Sequence, residues 1–481
     1  MSDLALLVRI ASLHLDRLLE PDFITPSNHG LFQLHGAMGL CQALPALRRC
    51  PEARTYVERK LSELLATQFN LELMHREHSP EYHFFAARQV ERILDSGWYE
   101  GLSDLGPLLD LIEANGRWLV HPDGGIVRVG DSSPGRPSVE PLDGNPACAD
   151  EAGFRSACHH VRPFYETGYA VVRSDWAVPT ERASMLFFTA AFHSRTHKHA
   201  DDLSFELFEA GRRVLVDAGK YSYQRDAMRD YVTSARAHNT VEVDGRDPSL
   251  DGDNAYGSGL RGLYRFPWGF LVEGDVRHPD LGARHRRLLL YRPGDWLVVV
   301  DRVAAERTAS STQWFHLAPE FEIGRGDGER ITFTASDGFE LVLERASNTA
   351  GCRSVRARGE REPRIQGWVA ERYGEVVPSW AVGYRCDARE VTFVALFRFD
   401  DLPDDSIPLV VSFDEGGSAL DLTFGSHDPV QVLIELDDPA GVRVTHARCP
   451  WPSRHDPRGS AARGERVWKK SRSRVSTASS P

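Results

Sequence analysis

The spacing of hydrophobic positions changes period near residue 165. Before that point apolar residues recur at helical intervals. In MSDLALLVRIASLHLDRLLE, Leu4, Leu7, Leu13, Leu15, Leu18 and Leu19 are compatible with one buried helix face. Pro21 and Pro26 end that element, and SNHGLFQLHGAMGLCQALPAL begins the next. Further helical runs are predicted at 52–69, 82–94 and 102–115, joined by short loops that imply antiparallel neighbours. Residues 121–165 are rich in Gly and Pro and read as a linker or an extended first strand region. From Gly168 onward the pattern is short β-rich runs between turn residues: YAVVRS, MLFFTAAF, LSFELFEA, RVLVD, TVEVDG, FLVEGDV, RLLLYR, WLVVVDRV, FELVLER, VTFVALFRF, LVVSF and VQVLIEL. So many strands at such spacing predict a large antiparallel β-sandwich. Beyond Cys449 the chain is basic, Ser-rich and poor in apolar residues, so a disordered tail is expected. The expected organisation is a helical domain over 1–120, a linker over 121–165, a β-domain over 166–450 and a tail over 451–481.

Composition narrows the function classes. The chain has 481 residues, enough for two domains, and 41% hydrophobic with 26% charged residues, as a soluble globular protein has. A formal charge of −12 argues against a nucleic-acid partner, while a local basic groove for an anionic substrate remains compatible with it. No run reaches the ~18 apolar residues that a membrane-spanning helix needs. The N-terminal helix is interrupted by Asp3, Arg9, His14 and Asp16 and lacks a small-residue cleavage site, so no signal peptide is read there. Cytoplasmic location is the default expectation. Seven Cys are scattered, odd in number and without a CxxC, so neither a disulfide framework nor a cysteine–zinc site is expected.

The candidate chemistry concentrates between Phe192 and Asn239. His197 and His199 form a His-x-His pair, followed by Asp201 and Asp202. LSFELFEA alternates as a half-buried strand should, and RRVLVDAG reads as its hairpin partner, with Gly211 in the turn. On a strand, His197 and His199 would face the same way. The hairpin would return Asp217 towards His199, and His238 would arrive from a separate segment. Two imidazoles and a carboxylate suit zinc better than a thiolate-selecting metal. The plainer alternatives are a surface or hydrogen-bonded histidine pair and an Asp217 that merely starts a turn.

Taken together, H-x-H-x-D-x-L-S-F-E (from His197), G-x-x-x-L-V-D-A-G-x-Y-x-Y (from Gly211) and A-H-N-T-V (from Ala237) resemble the heparinase II/III-like family of polysaccharide lyases. The resemblance covers about fifty contiguous residues and is specific as a combination. It implies an incomplete (α/α) toroid followed by an antiparallel β-sandwich. The helical part is short for that family, so the chain reads as an N-terminally reduced or truncated member. Periplasmic or secreted location is what the family implies.

The resemblance further implies β-elimination in a uronic-acid polysaccharide, an acidic polymer partner and a mainly structural zinc held by His199, Asp217 and His238. A base removes the C5 proton next to the carboxylate, and the C4–O bond breaks. Because that carboxylate is already negative, it must be neutralised as enolate-like charge develops. Asn28 and His29, in Ser27-Asn28-His29-Gly30, match the family's Asn-His pair. Tyr82, in Glu77-His78-Ser79-Pro80-Glu81-Tyr82-His83, matches its Tyr. Read without the resemblance, Asn28 is a helix cap and Tyr82 a packing aromatic. His197 is the candidate base and Tyr82 the candidate acid to the leaving oxygen, with Tyr231 a third candidate. Glu206 is the one nearby carboxylate that a hydrolytic zinc could use. A cupin-like metal enzyme and a catalytically idle carbohydrate-binding or exopolysaccharide accessory protein are the competing functions.

Overall fold

A computed structural model describes residues 3–139, 141–150, 154–326, 328–399, 407–414, 419–425, 429–436, 443–447 and 465–466. The expected tail lies outside the described residues, apart from Glu465–Arg466.

Five helices come first: α1 (Asp3–Leu18), α2 (Asn28–Ala43), α3 (Cys50–Gln68), α4 (Pro80–Asp95) and α5 (Leu105–Gly116). Their buried faces follow the i, i+3, i+4 rule and meet in one core, for example Leu34, Met38, Val57, Leu61, Val90 and Ile112. The sequence expectation fails in part on α1. Leu15 and Leu19 are buried there with Ala11, but Leu4, Leu7 and Leu13 are exposed. Only the stripe at 11, 15 and 19 faces α2, so the first half of α1 stands clear of the core.

The rest of the described chain is mostly antiparallel sheet. A five-stranded sheet runs in the order His159–Phe164, Tyr169–Ser174, Met185–Thr189, Phe205–Glu209, Arg212–Leu215. It packs on an eleven-stranded sheet built around the long strands Trp296–His316 and Trp380–Phe399. The opposite face of that large sheet is covered by a four-stranded sheet, with Val298, Val300, Val394 and Leu396 against Leu420, Leu422, Val432 and Ile434. The large antiparallel β-sandwich expected from the sequence is thus built of three stacked sheets. Short strands of similar hydrophobicity do not reveal which layer they join.

Residues 121–165 are more than a linker. Val127 and Val129 are buried with Met74 against Phe187 and Phe208, on the outer face of the five-stranded sheet. This explains why LSFELFEA, expected to be half-buried, is buried on both faces: Phe205 and Leu207 meet the large sheet, and Phe208 meets 127–129. The segment therefore joins the helical and β parts.

The cysteine expectation is also corrected. Cys41–Cys50, Cys148–Cys158 and Cys352–Cys386 are disulfides, with Cα atoms 5.3, 5.5 and 4.4 Å apart. Scattered spacing hid them because folding, not sequence proximity, brings the Cβ vectors together.

Candidate active site

The site forms where α4 and residues 130–133 meet the loop carrying His197. Ser79 caps α4, accepting the Tyr82 N–H, while its hydroxyl donates to the Asp131 carbonyl oxygen at 2.9 Å. Glu81 accepts the Ser133 N–H at 2.6 Å and pairs with the Lys220 ammonium at 2.9 Å. These bonds fix the first turn of α4, and with it Tyr82, against the β part. His78, just before the cap, is buried and ties down the histidine loop. Its Nδ1 meets the Thr196 carbonyl oxygen at 3.2 Å, and its Nε2 accepts the His193 N–H at 2.7 Å. Burial, helped by the nearby Lys198 charge, pushes the His78 imidazole down to about 3, so it stays neutral and able to accept. Gly130 has φ +58°, and a Cβ there would lie 2.5 Å from the His78 carbonyl oxygen and 2.8 Å from that of His197. Only glycine lets the two loops approach so closely.

His197 and His199 are not on a strand. They lie in a turn and the coil after it, and His197 has φ +57°. They converge through one carboxylate: Asp131 Oδ2 is 2.9 Å from His197 Nδ1, and Asp131 Oδ1 is 2.9 Å from His199 Nε2. Arg229 forms an ion pair with the same carboxylate at 2.6 Å. Burial opposes charge on Asp131, yet the bonds from His197 and His199 and the Arg229 pair hold its carboxyl far below the ordinary range. A carboxylate at Nδ1 fixes the proton there and leaves His197 Nε2 as the lone-pair nitrogen. That nitrogen is 3.5 Å from Glu77 Oε2. Burial raises Glu77 above the usual carboxylate range, against the opposing influence of His197 and His29.

Tyr82 lies flat on His197, with ring centroids 3.7 Å apart and planes 19° apart. Its hydroxyl is 2.8 Å from that of Tyr223. Burial and this hydrogen bond push Tyr223 well above the ordinary phenol range, so Tyr223 keeps its proton. Asn28 is the first residue of α2 and half-buried, and its side chain makes no hydrogen bond to the protein among the described residues. The neighbouring His29 is exposed, and its charge opposes the rise of the Glu77 carboxyl. Tyr231 is not part of the group. It is fully buried in α6 (Ala227–Val232), bonded to the backbone of Gly367 and Trp368. At 3.6 residues per turn, positions 229 and 231 point to nearly opposite sides, and it is Arg229 that faces Asp131.

His199, Asp217 and His238 do come together, offering ligand atoms all within 4.8 Å of one another. The hairpin returns Asp217 as its sequence suggested, and Asn239 pins the third segment by donating to the Phe205 and Val216 carbonyl oxygens. His199 Nδ1 and His238 Nε2 are buried without a hydrogen-bond partner. His199 presents its other nitrogen to Asp131, the usual arrangement behind a metal-bound imidazole. The donor set therefore fits a divalent metal. Glu206, the candidate for a hydrolytic site, is otherwise engaged. It accepts from His121 Nε2 at 2.9 Å and from the Arg128 and Asp217 N–H groups at 3.1 and 3.0 Å. Burial opposes its charge, but these partners hold it at about 2. A cupin-like site would need the histidine pair on a strand, and neither residue is on one.

Asp131, Tyr223, Lys220 and Arg229 were not singled out as functional in the sequence. Tyr223 and Lys220 fall inside the recognised G-x-x-x-L-V-D-A-G-x-Y-x-Y stretch, which could have flagged them. Asp131 sits alone in a Gly/Pro-rich segment, and only the fold reveals its place.

Comparison with known proteins agrees with this geometry. Residues 159–382 match the family described as heparinase II/III-like, C-terminal. A heparin-sulfate lyase of Pedobacter heparinus is 23% identical over 184 residues, 37% of this chain and 26% of that protein. The aligned part thus spans about a quarter of that curated relative. Among solved structures, a heparinase III superposes with a TM-score of 0.71 at 14% identity, covering 90% of this chain and 70% of that one. A heparan sulfate lyase from Pedobacter heparinus gives 0.65 at 18%, covering 86% and 67%. A fold of N-terminal helices followed by a large antiparallel β region is common to these proteins. Residues 159–382, a little under half of the chain, thus carry a likeness to the heparinase II/III-like family.

Proposed function

We propose that this protein is a polysaccharide lyase that cleaves a heparan-sulfate-type, uronic-acid-containing polymer by β-elimination. The observation that carries this is the contact between Tyr82, from the helical part, and His197, from the β part, at 3.7 Å between centroids. An acid and a base are thereby brought to one point with neither engaged as a metal ligand. His197 takes the C5 proton at Nε2, with Asp131 holding the imidazole from behind. Charge spreads onto the uronate carboxylate, which Asn28 and His29 stabilise by donating to it. The C4–O bond breaks, Tyr82 gives its proton to the leaving oxygen, and a C4–C5 double bond remains. Tyr223 orients Tyr82 and takes up hydrogen bonding to its oxygen once the proton has gone.

Zinc suits the donor set of His199, Asp217 and His238, where it would neutralise buried Asp217 and fasten three segments behind the reactive residues. The five helices are proposed to be part of an (α/α) toroid whose inner side forms the polymer groove. The three disulfides support an oxidising compartment, in place of the cytoplasmic default. The test of the function is incubation of the purified chain with a panel of uronate polysaccharides. Ultraviolet absorbance of the conjugated product should rise with heparan sulfate. Absence of absorbance with every polymer in the panel would contradict it.

A further inference from the structure

Among the described residues, three Phe, Tyr or Trp side chains are exposed: Phe32 at 47%, Tyr223 at 48% and Tyr373 at 57%. Scattered singly they would call for no explanation, because exposed apolar side chains are common. They are not scattered. All three lie on one chain of neighbouring rings that passes through the reactive pair. Phe32, on α2, is 6.0 Å from Phe85, and Phe85 is 6.0 Å from Tyr82. Tyr82 stacks on His197, His197 is 6.2 Å from Tyr223, and Tyr223 is 6.4 Å from Tyr373. The run starts on a helix, crosses the reactive residues and ends on the turn between the paired strands Trp368–Arg372 and Glu375–Pro378.

That turn is held in place. Gly374 donates its N–H to the Tyr221 carbonyl oxygen at 2.8 Å, and the Tyr373 hydroxyl accepts the Tyr223 N–H at 3.2 Å. Arg128 pairs with Glu371 at 2.9 Å, close behind it. The buried Lys220 ammonium lies between Tyr82, Tyr223 and Tyr373, 5.7, 5.2 and 5.9 Å from their ring centroids. The outer ring is thus anchored through its hydroxyl while its face is left open. A rigid aromatic face with a polar rim and a cation beside it matches a pyranose ring, which has C–H-bearing faces and hydroxyl or anionic edges.

We infer that Phe32 and Tyr373 are sugar-stacking platforms on opposite sides of the reactive pair, so that an acidic polysaccharide lies across the site and is gripped at both ends. This rests on the proposed lyase function, and it adds where the polymer is held. A chain engaged on both sides of the broken bond is bound internally, so affinity should rise with oligosaccharide length until both platforms are covered.

Calorimetric titration of the full chain with a heparan sulfate hexasaccharide and a disaccharide tests this. Phe32→Ala and Tyr373→Ala should each weaken hexasaccharide binding roughly tenfold, the upper range for one aromatic contact. Phe32→Tyr should retain it, Tyr373→Phe should lose less than Tyr373→Ala because it keeps the ring without the hydroxyl anchor, and all melting temperatures should match wild type. Disaccharide binding should respond to at most one of the two alanine variants. Wild-type affinity in both alanine variants, or no hexasaccharide binding by the wild type, overturns the platforms. Binding that depends on Phe32 and Tyr373 without any unsaturated product would support the platforms and contradict the lyase reaction, so the two failures are distinguishable.

Discussion

The Tyr82 phenol lies against the His197 imidazole, with planes only 19° apart, although the two residues belong to parts of the chain with different architecture. Their contact depends on the capped start of α4 on one side and on Asp131 on the other. Tyr82→Phe keeps the ring and its stacking but removes the only proton it can donate. Turnover should fall by about 10²–10⁴-fold, the range for loss of a general acid. Circular dichroism, melting temperature and metal content should be unchanged. Wild-type turnover in this variant would place the acid elsewhere.

Asp131 serves two histidines with its two oxygens, so Asp131→Asn should disturb both. An amide cannot accept from His197 and His199 while also pairing with Arg229. We expect turnover to drop by about 10–100-fold and metal affinity to weaken by a comparable factor. Kinetics alongside a metal-competition titration checks this. A change in turnover alone would mean that Asp131 does not orient His199 for a metal.

His238→Ala removes one ligand of the buried triad and should act on stability before chemistry. Elemental analysis of the wild type should find one divalent metal per chain, and the variant should lack it. Chelation should lower the wild-type melting temperature and leave the variant's unchanged. Full metal occupancy in His238→Ala would contradict the ligand assignment.

These residues were unequally legible in the sequence, for physical reasons. The return of Asp217 was legible because the hairpin around Gly211 is local, whereas His199 reaches it from coil ahead of the first strand, which the alternation does not report. The helices were legible because their periodicity reports a buried stripe, but α1 shows the limit. Several leucines share that helix, and only tertiary contact selects Leu15 and Leu19 over Leu4, Leu7 and Leu13. Tyr231 was the third candidate, but which side of a short helix faces a site is not written in a local pattern. Asp131 was invisible because its partners are 66 and 68 residues away in a segment without periodicity. The disulfides went unseen for a different reason: their cysteines are 9, 10 and 34 residues apart, but an odd count without a CxxC gives no pairing pattern.

Those disulfides give a direct test of the correction. Peptide mapping without reduction should recover the Cys41–Cys50, Cys148–Cys158 and Cys352–Cys386 pairs. Reduction should lower the melting temperature, each native pair contributing about 2–4 kcal/mol. Freely reactive thiols at all six positions in the native protein would contradict the pairing.

Stability should also decline as pH rises from the acidic range to about 8, because of Glu209. It is buried, with the Tyr291 hydroxyl and the Gly294 N–H donating to it, and burial pushes it up to about 8. The folded state then holds a proton that the unfolded chain, with an ordinary carboxyl near 4.5, has already released. Stability from this group is therefore fully present at low pH and is lost as pH rises through that window, levelling off above about 8. Glu209→Gln preserves a neutral side chain and should flatten the decline in urea midpoint between these values. An unchanged slope in the variant would show that Glu209 is already ionised.

The central claim is elimination without water, and isotopic water tests it most directly. Heparan sulfate should be cleaved by the purified protein in water enriched in heavy oxygen, and the products weighed by mass spectrometry. Elimination predicts that the fragments at the break carry no label from the cleavage step and that one of them absorbs in the ultraviolet. Label at the new reducing end, without ultraviolet absorbance, would show hydrolysis and contradict the roles assigned to His197 and Tyr82.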